Sequence, residues 1–172
     1  GIVPWKEIDN PKWGRVEIGG LRKEWGRQPP SFLLEEECHR NMAFTLYHAD
    51  QMPQVKVQSV TARELEGGLM EVTAVITNPK LIPSRLAVDV KNGITLPDRV
   101  SIRAKELKVV AGLVSSDRFF RGAKEQKRKA EELRIDTVPG MGVVYCRWIV
   151  KGVGPYTVTV RSAKGGVDTV IR

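Results

Sequence analysis

The 172-residue sequence predicts a mainly β protein: an immunoglobulin-like antiparallel β-sandwich preceded by an irregular lead-in and one amphipathic helix. Three observations lead there. Beyond Pro53 the apolar residues recur with a period of two, as in half-buried strands. Glycine- and proline-bearing turn signals separate these runs into about seven short strands, the spacing of a sandwich. Ahead of Pro53 a single segment has helical periodicity instead.

Residues 1–30 are rich in Pro, Gly and Trp and lack a sustained period. Val16-Glu17-Ile18 reads as a short strand closed by Gly19-Gly20, and Pro29-Pro30 breaks the chain. Trp5, Trp13 and Trp25 all fall in this stretch, and large aromatics on irregular backbone pin a loop against a neighbouring surface. They are the candidate interdomain contacts, against the sandwich or another copy of the chain. Ser31 is a suitable N-cap, with Glu35, Glu36 and Glu37 near the positive end of the helix dipole. Leu34, Cys38, Met42, Leu46 and Ala49 form one apolar stripe of a helix over about residues 31–51.

In the second part, Val55 to Leu65 and Leu69 to Thr77 read as a hairpin about Gly67-Gly68. Residues 81–90 read as a short helical crossover. Further strands are expected near residues 99–103, 105–113, 142–150, 156–162 and 167–171. The expected division is therefore 1–53, loop plus helix, and 54–172, sandwich. The net charge of +8 is unevenly shared. Residues 1–53 hold seven basic and eight acidic residues, and residues 54–172 hold 21 and 12, so the positive field belongs to the sandwich. Such a field attracts anionic surfaces.

No apolar run approaches the ~18 residues of a membrane span. The opening Gly-Ile-Val-Pro-Trp lacks the basic start of a signal peptide and reads as the interior of a longer polypeptide. Cys38 and Cys146 read as buried thiols rather than nucleophiles. No G-x-S-x-G or P-loop pattern is present. His39 and His48 are the only histidines. Their nine-residue separation, at about 100° per residue, places them on opposite faces of a helix, where they cannot share a metal ion. Glu35 and His39, one turn apart, read as a carboxylate–histidine pair. The segment from Ser115 to Arg134 interleaves Phe119-Phe120 with Arg118, Arg121, Lys124, Lys127, Arg128 and Lys129. These are the candidate anion-binding residues. The weightier reading is a mobile, solvated insertion anchored at one end by the phenylalanines.

One stretch carries a family resemblance. The segment "GIVPWKEIDNPKWGRVEIGGLRKEW", followed by "PPSFLLEEECHRNMAFTLYHADQMPQVKV", resembles the region after the catalytic centre in bacterial zinc carboxypeptidases of the M14 family. The resemblance covers about residues 3–57 and is only architectural beyond. It implies that residues 1–53 are the tail of a peptidase domain and that residues 54–172 are its C-terminal accessory domain. That domain would brace the catalytic domain or help place substrate. The family's zinc motif, His-x-x-Glu, does not occur here, since Arg40-Asn41-Met42 follow His39 and Ala49-Asp50-Gln51 follow His48. The resemblance thus implies no catalytic or metal-binding residue in this chain, no cofactor of its own, and zinc in the parent's catalytic domain. Glu17 as general base is the minority reading, with the base expected upstream. The expected partners are the upstream catalytic domain or a second copy of the fragment, in a periplasmic or extracellular setting. The alternative is a binding module for an anionic polymer, a cell-wall glycan before nucleic acid, on the basic sandwich face.

Overall fold

The computed structural model describes all residues from Gly1 to Arg172. The chain divides into two compact units, Gly1–Ala49 and Asp50–Arg172. No helix is long and apolar enough to cross a membrane.

The first unit is more regular than its sequence suggests. Strands β1 (Ile2–Asn10) and β2 (Gly14–Leu21) form an antiparallel hairpin. Pro4 cannot donate to the ladder, and the register shifts between Val3 and Lys6. Those two interruptions hide β1 from a periodicity reading. The turn is closed by Asn10, whose Oδ1 accepts from the amides of Lys12 (2.9 Å) and Trp13 (3.2 Å). Opposite the bulge lies Gly19, where a Cβ would stand 2.6 Å from the Trp5 Cα, so only glycine fits. A short 3-10 turn (Lys23–Gly26) leads to helix α1 (Ser31–Asp50).

Helix α1 begins at Ser31 itself, and the Leu33 amide bonds to the Pro30 carbonyl at 2.9 Å, which corrects the reading of Ser31 as its cap. Its apolar residues are not confined to the stripe through Leu34, Met42 and Leu46. Phe32, Leu33, Phe44 and Tyr47 fall on the other sides, and all seven are exposed. No residue from Gly1 to Ala49 is buried.

The second unit has two antiparallel sheets around one core. One sheet has the order β3 (Lys56–Leu65), β4 (Leu69–Asn78), β9 (Gly142–Lys151), β6 (Lys108–Ser115), β7 (Lys124–Glu125). The other runs β11 (Gly166–Ile171), β10 (Tyr156–Ser162), β5 (Asp98–Ala104), β8 (Glu132–Ile135). Alternation dictates which side chains enter the core. Val72, Ala74 and Ile76 of β4 and Cys146, Trp148 and Val150 of β9 point inward, all at 0% exposure. They meet Val100, Leu133, Val158 and Val160 of the second sheet in a single cluster. The expected crossover helix is shorter and later than read, α2 (Ala87–Asn92), preceded by bends.

Trp148 is the largest fully buried side chain, and its indole Nε1 donates to the Ala130 carbonyl at 3.0 Å. The same carbonyl would lie 2.4 Å from a Cβ at Gly112, so a glycine there lets residue 130 approach the sheet. Between β6 and β8 the chain is held rather than free. Leu113 and Val114 pair with Glu125 and Lys124, and the Gln126 amide bonds to the Gly112 carbonyl at 2.9 Å. The insertion over residues 115–134 is not irregular throughout: it carries two short strands, too brief to show a period.

Candidate functional site

Two places on the second unit concentrate polar chemistry. The first is the basic segment. It leaves β6 through an Asp117 turn, in which Asp117 N donates to Ser115 Oγ (3.0 Å) and Arg121 N donates to Asp117 Oδ2 (3.0 Å). Phe120 takes a left-handed backbone conformation (φ 57°), which lays its ring across Tyr145 (centroids 6.3 Å apart). The Arg147 guanidinium stacks on the Phe120 ring, 3.7 Å from its centroid. This is a desolvating, attractive contact between cation and π face. Arg147 is held in turn by Glu71 (3.5 Å). Phe119 by contrast is 70% exposed, with Arg121 5.4 Å from its ring centre. Only one of the paired phenylalanines anchors the segment.

The candidate basic residues are spread, not gathered. Arg118 and Arg121 lie by the Phe119 turn, and Arg121 approaches Asp117 (3.9 Å). Lys124 lines an open cleft of about 420 Å³ with Ser115, Ser116, Arg134 and Thr137. Glu125 and Asp136 line the same cleft, so its charge is balanced. Arg128 and Lys129 share a second cleft, of about 350 Å³, with Glu132 and Arg134. Lys127 is exposed and lines neither. Gln126 organises this end: its Nε2 lies within hydrogen-bonding distance of the carbonyls of Arg128 (3.0 Å), Lys129 (2.9 Å) and Glu132 (2.5 Å). Its Oε1 accepts from the Arg134 amide at 2.9 Å. One buried-edge amide thus curls the loop so that its cations stand beside β8.

The second place is a buried polar cluster that sequence reasoning missed. Arg85 is 4% exposed and Asp89 2%. The Arg85 guanidinium donates to the Thr95 carbonyl (2.7 Å), the Asp136 carbonyl (2.9 Å) and Thr95 Oγ1 (3.2 Å). Asp89 accepts from the Thr95 amide (2.8 Å) and from Lys164 Nζ (2.7 Å). The Lys164 hydrogen bond, then those of Thr95, hold the Asp89 carboxyl far below the usual carboxylate range. Next to this group Ser84 and Asp98 are both at 0% exposure. Ser84 Oγ makes a short hydrogen bond with Asp98 Oδ2 and accepts from the Val138 amide (2.7 Å). Burial pushes the Asp98 carboxyl up, and its Oδ1 has no partner. With Ser84 fully enclosed, the arrangement ties the loop ahead of β5 to residues 136–138, just past β8.

The remaining predicted positions sit in the first unit. Trp5, Trp13 and Trp25 are 66%, 69% and 43% exposed. Lys12 Nζ stands 5.1 Å over the Trp13 ring, and Trp25 meets Phe32 edge-on at 6.4 Å. His39 and His48 are both exposed on α1. The Glu35–His39 pair is replaced by Arg40, which bonds Glu36 at 2.5 Å and approaches Glu37 at 3.6 Å. Glu17 faces Glu7 across the hairpin. Cys38 is exposed, against the expectation of a buried thiol, whereas Cys146 is buried; both are free. Burial alone pushes the Cys146 thiol far up.

A family model described as "Domain of unknown function (DUF8731)" matches residues 54–171. Neither the curated proteins nor the solved structures give a significant match to the chain.

Proposed function

The chain belongs to the DUF8731 family, and from that premise we propose that it is a non-catalytic accessory module whose first unit completes the core of a neighbouring domain. One observation carries the reading: the first unit is rich in large apolar side chains yet buries none of them. Apolar side chains on more than one side of α1, none of them buried, leave surface that a neighbouring domain would cover. A two-stranded hairpin is marginal on its own and is stabilised by further strands or a packed helix. The second unit supplies its own core and asks for no such completion.

The resemblance of residues 3–57 to zinc carboxypeptidases makes a peptidase domain the neighbour we propose. In that reading zinc and the catalytic residues lie on the neighbouring domain, and the sandwich braces it or helps place substrate.

Amide hydrogen exchange tests the accessory reading. In the isolated chain, β1, β2 and α1 are expected to exchange close to unprotected rates while β4 and β9 are protected. Expressed together with the adjoining domain, the first unit should gain protection. Protection of α1 equal to that of β9 in an isolated monomer would sink the proposal. The peptidase reading is tested separately, by zinc content and by a His-x-x-Glu motif in the adjoining polypeptide. Without both, the accessory role could stand but the peptidase assignment falls.

A further inference from the structure

The outer face of the four-stranded sheet holds a pattern that the linear sequence does not display. Arg161 of β10 lies directly opposite Arg99 of β5, and Arg99 lies directly opposite Arg134 of β8. Their strand neighbours Val160, Val100 and Leu133 are fully buried, so by alternation all three arginines point outward. Three guanidinium groups therefore stand in one row across three strands, spanning about 10 Å at ~4.8 Å per strand. Like charges placed directly opposite one another destabilise a sheet. The only carboxylate on the outer face of these four strands is Glu132, which pairs with Arg99 at 3.1 Å. Arg134 and Arg161 have no carboxylate partner, and Asp136, just past the end of β8, makes no ion pair with Arg134.

Two neighbours extend the row. The loop curled by Gln126 sets Arg128 and Lys129 in one cleft with Arg134. Beside the arginines runs a second row across the sheet, the hydroxyl-bearing Thr169, Thr159 and Ser101, which ends at Glu132 on β8; the Thr159 and Thr169 Oγ1 atoms are 3.1 Å apart. Arg103 lies one row further on, opposite Thr157.

We infer that this face binds a polymer of acidic sugars, its carboxylates on the row Arg161–Arg99–Arg134 and its ring hydroxyls on the Thr169–Thr159–Ser101 row. The planar fork of arginine matches a carboxylate with two parallel hydrogen bonds. Adjacent strands, about 4.8 Å apart, set the guanidinium groups at close to the length of one sugar ring. An open sheet face with hydroxyl donors suits an extended, hydroxyl-rich chain. Nucleic acid fits less well. Single strands are held by stacking on aromatic side chains, and the outward residues of these four strands include no aromatic. Duplex DNA is read by a helix or a two-stranded ribbon entering the major groove, and the arginine row lies instead on the face of a four-stranded sheet. This inference concerns the second unit and is independent of the accessory role proposed for the first.

Titration calorimetry of the full chain at low salt, with an oligogalacturonate, a neutral glucan and single-stranded DNA, tests it. The oligogalacturonate should bind, with affinity falling as salt rises, and the glucan should not. Arg134→Ser with Arg161→Ser should weaken binding by about tenfold or more, an energy that two charge-assisted contacts supply. The matched control is Lys108→Ser with Lys151→Ser, which removes an equal charge from a directly opposed pair on the other sheet and should leave binding unchanged. A second readout separates a binding role from a structural one. Arg161→Glu puts a carboxylate opposite Arg99, so the variant should resist denaturant better than the parent while losing the oligogalacturonate. No binding at low salt, equal loss in the two double variants, tighter binding of DNA, or a destabilised Arg161→Glu would each overturn the inference.

Discussion

Two tryptophans separate the halves of this molecule. Trp148 is at 0% exposure, enclosed between two sheets with its indole nitrogen bonded to the Ala130 carbonyl. Trp5 is 66% exposed on a hairpin in which nothing is buried. The residue type is the same, and so is the strand setting. What differs is whether a second layer covers the strand. A sheet buries its apolar face only against another layer. The unit Asp50–Arg172 has both layers, whereas the unit Gly1–Ala49 has a hairpin, a helix and no enclosed residue.

The sharpest way to break this contrast is to truncate one aromatic in each unit. Trp148→Ala should cost about 3–5 kcal/mol, through the lost transfer energy and the cavity left behind. It also strands the Ala130 carbonyl without its donor. Phe44→Ala on α1, where the ring is 67% exposed, should stay within about 0.5 kcal/mol. Urea unfolding followed by circular dichroism measures both. A cost above 2 kcal/mol for Phe44→Ala, on the scale of a core truncation, would mean that the first unit has a core of its own.

A smaller effect is expected at the edge of the sandwich. Arg85→Met keeps much of the volume of a side chain that is 3% exposed but deletes the donors to Thr95 and Asp136. The carbonyls left behind and the weakened hold on Asp89 should cost about 1–3 kcal/mol. The loop of residues 80–98 should then exchange its amides faster than β4 does. Unchanged exchange there would show that the loop is held by other contacts.

The sequence made some of this legible, for physical reasons that can be named. The alternation of Val72, Ala74 and Ile76, and of Val144, Cys146, Trp148 and Val150, reads directly as strands with one buried face, and both are central in their sheet. Strand β1 is hidden because Pro4 and the register shift interrupt the period. Strands β7 and β8 are two and four residues long, too short for any period to be expressed. The basic segment was visible as composition, but its charges are scattered over two clefts and a turn. The arginine row was invisible, since Arg99, Arg134 and Arg161 are far apart in the chain and only strand register brings them together. The polar cluster was equally hidden. Ser84 and Asp98 stand at the two ends of a non-strand stretch, and only its folding back onto the start of β5 brings the two side chains together.

That partnership gives the second unit a pH response, and it is the smallest effect of the three. Asp98 is raised by burial, against the opposing hydrogen bond of Ser84 and the charge of Arg85. A carboxyl whose folded value lies above its unfolded value binds more protons folded than unfolded, so stability falls as pH rises between those two values. Asp89 has the opposite sign: its lowered value contributes stability that is present above the ordinary carboxylate range and lost in strong acid. The two windows meet near the unfolded carboxylate value, with Asp89 acting below it and Asp98 above. Asp98→Asn places an amide where the protonated carboxyl stood, able to donate to Ser84 Oγ. The variant should therefore lose the decline on the alkaline side of the carboxylate range while keeping the acid limb set by Asp89. Unfolding midpoints of parent and variant across mildly acidic to neutral pH measure the difference, and parallel curves would show that Asp98 is ionised in the fold despite its burial.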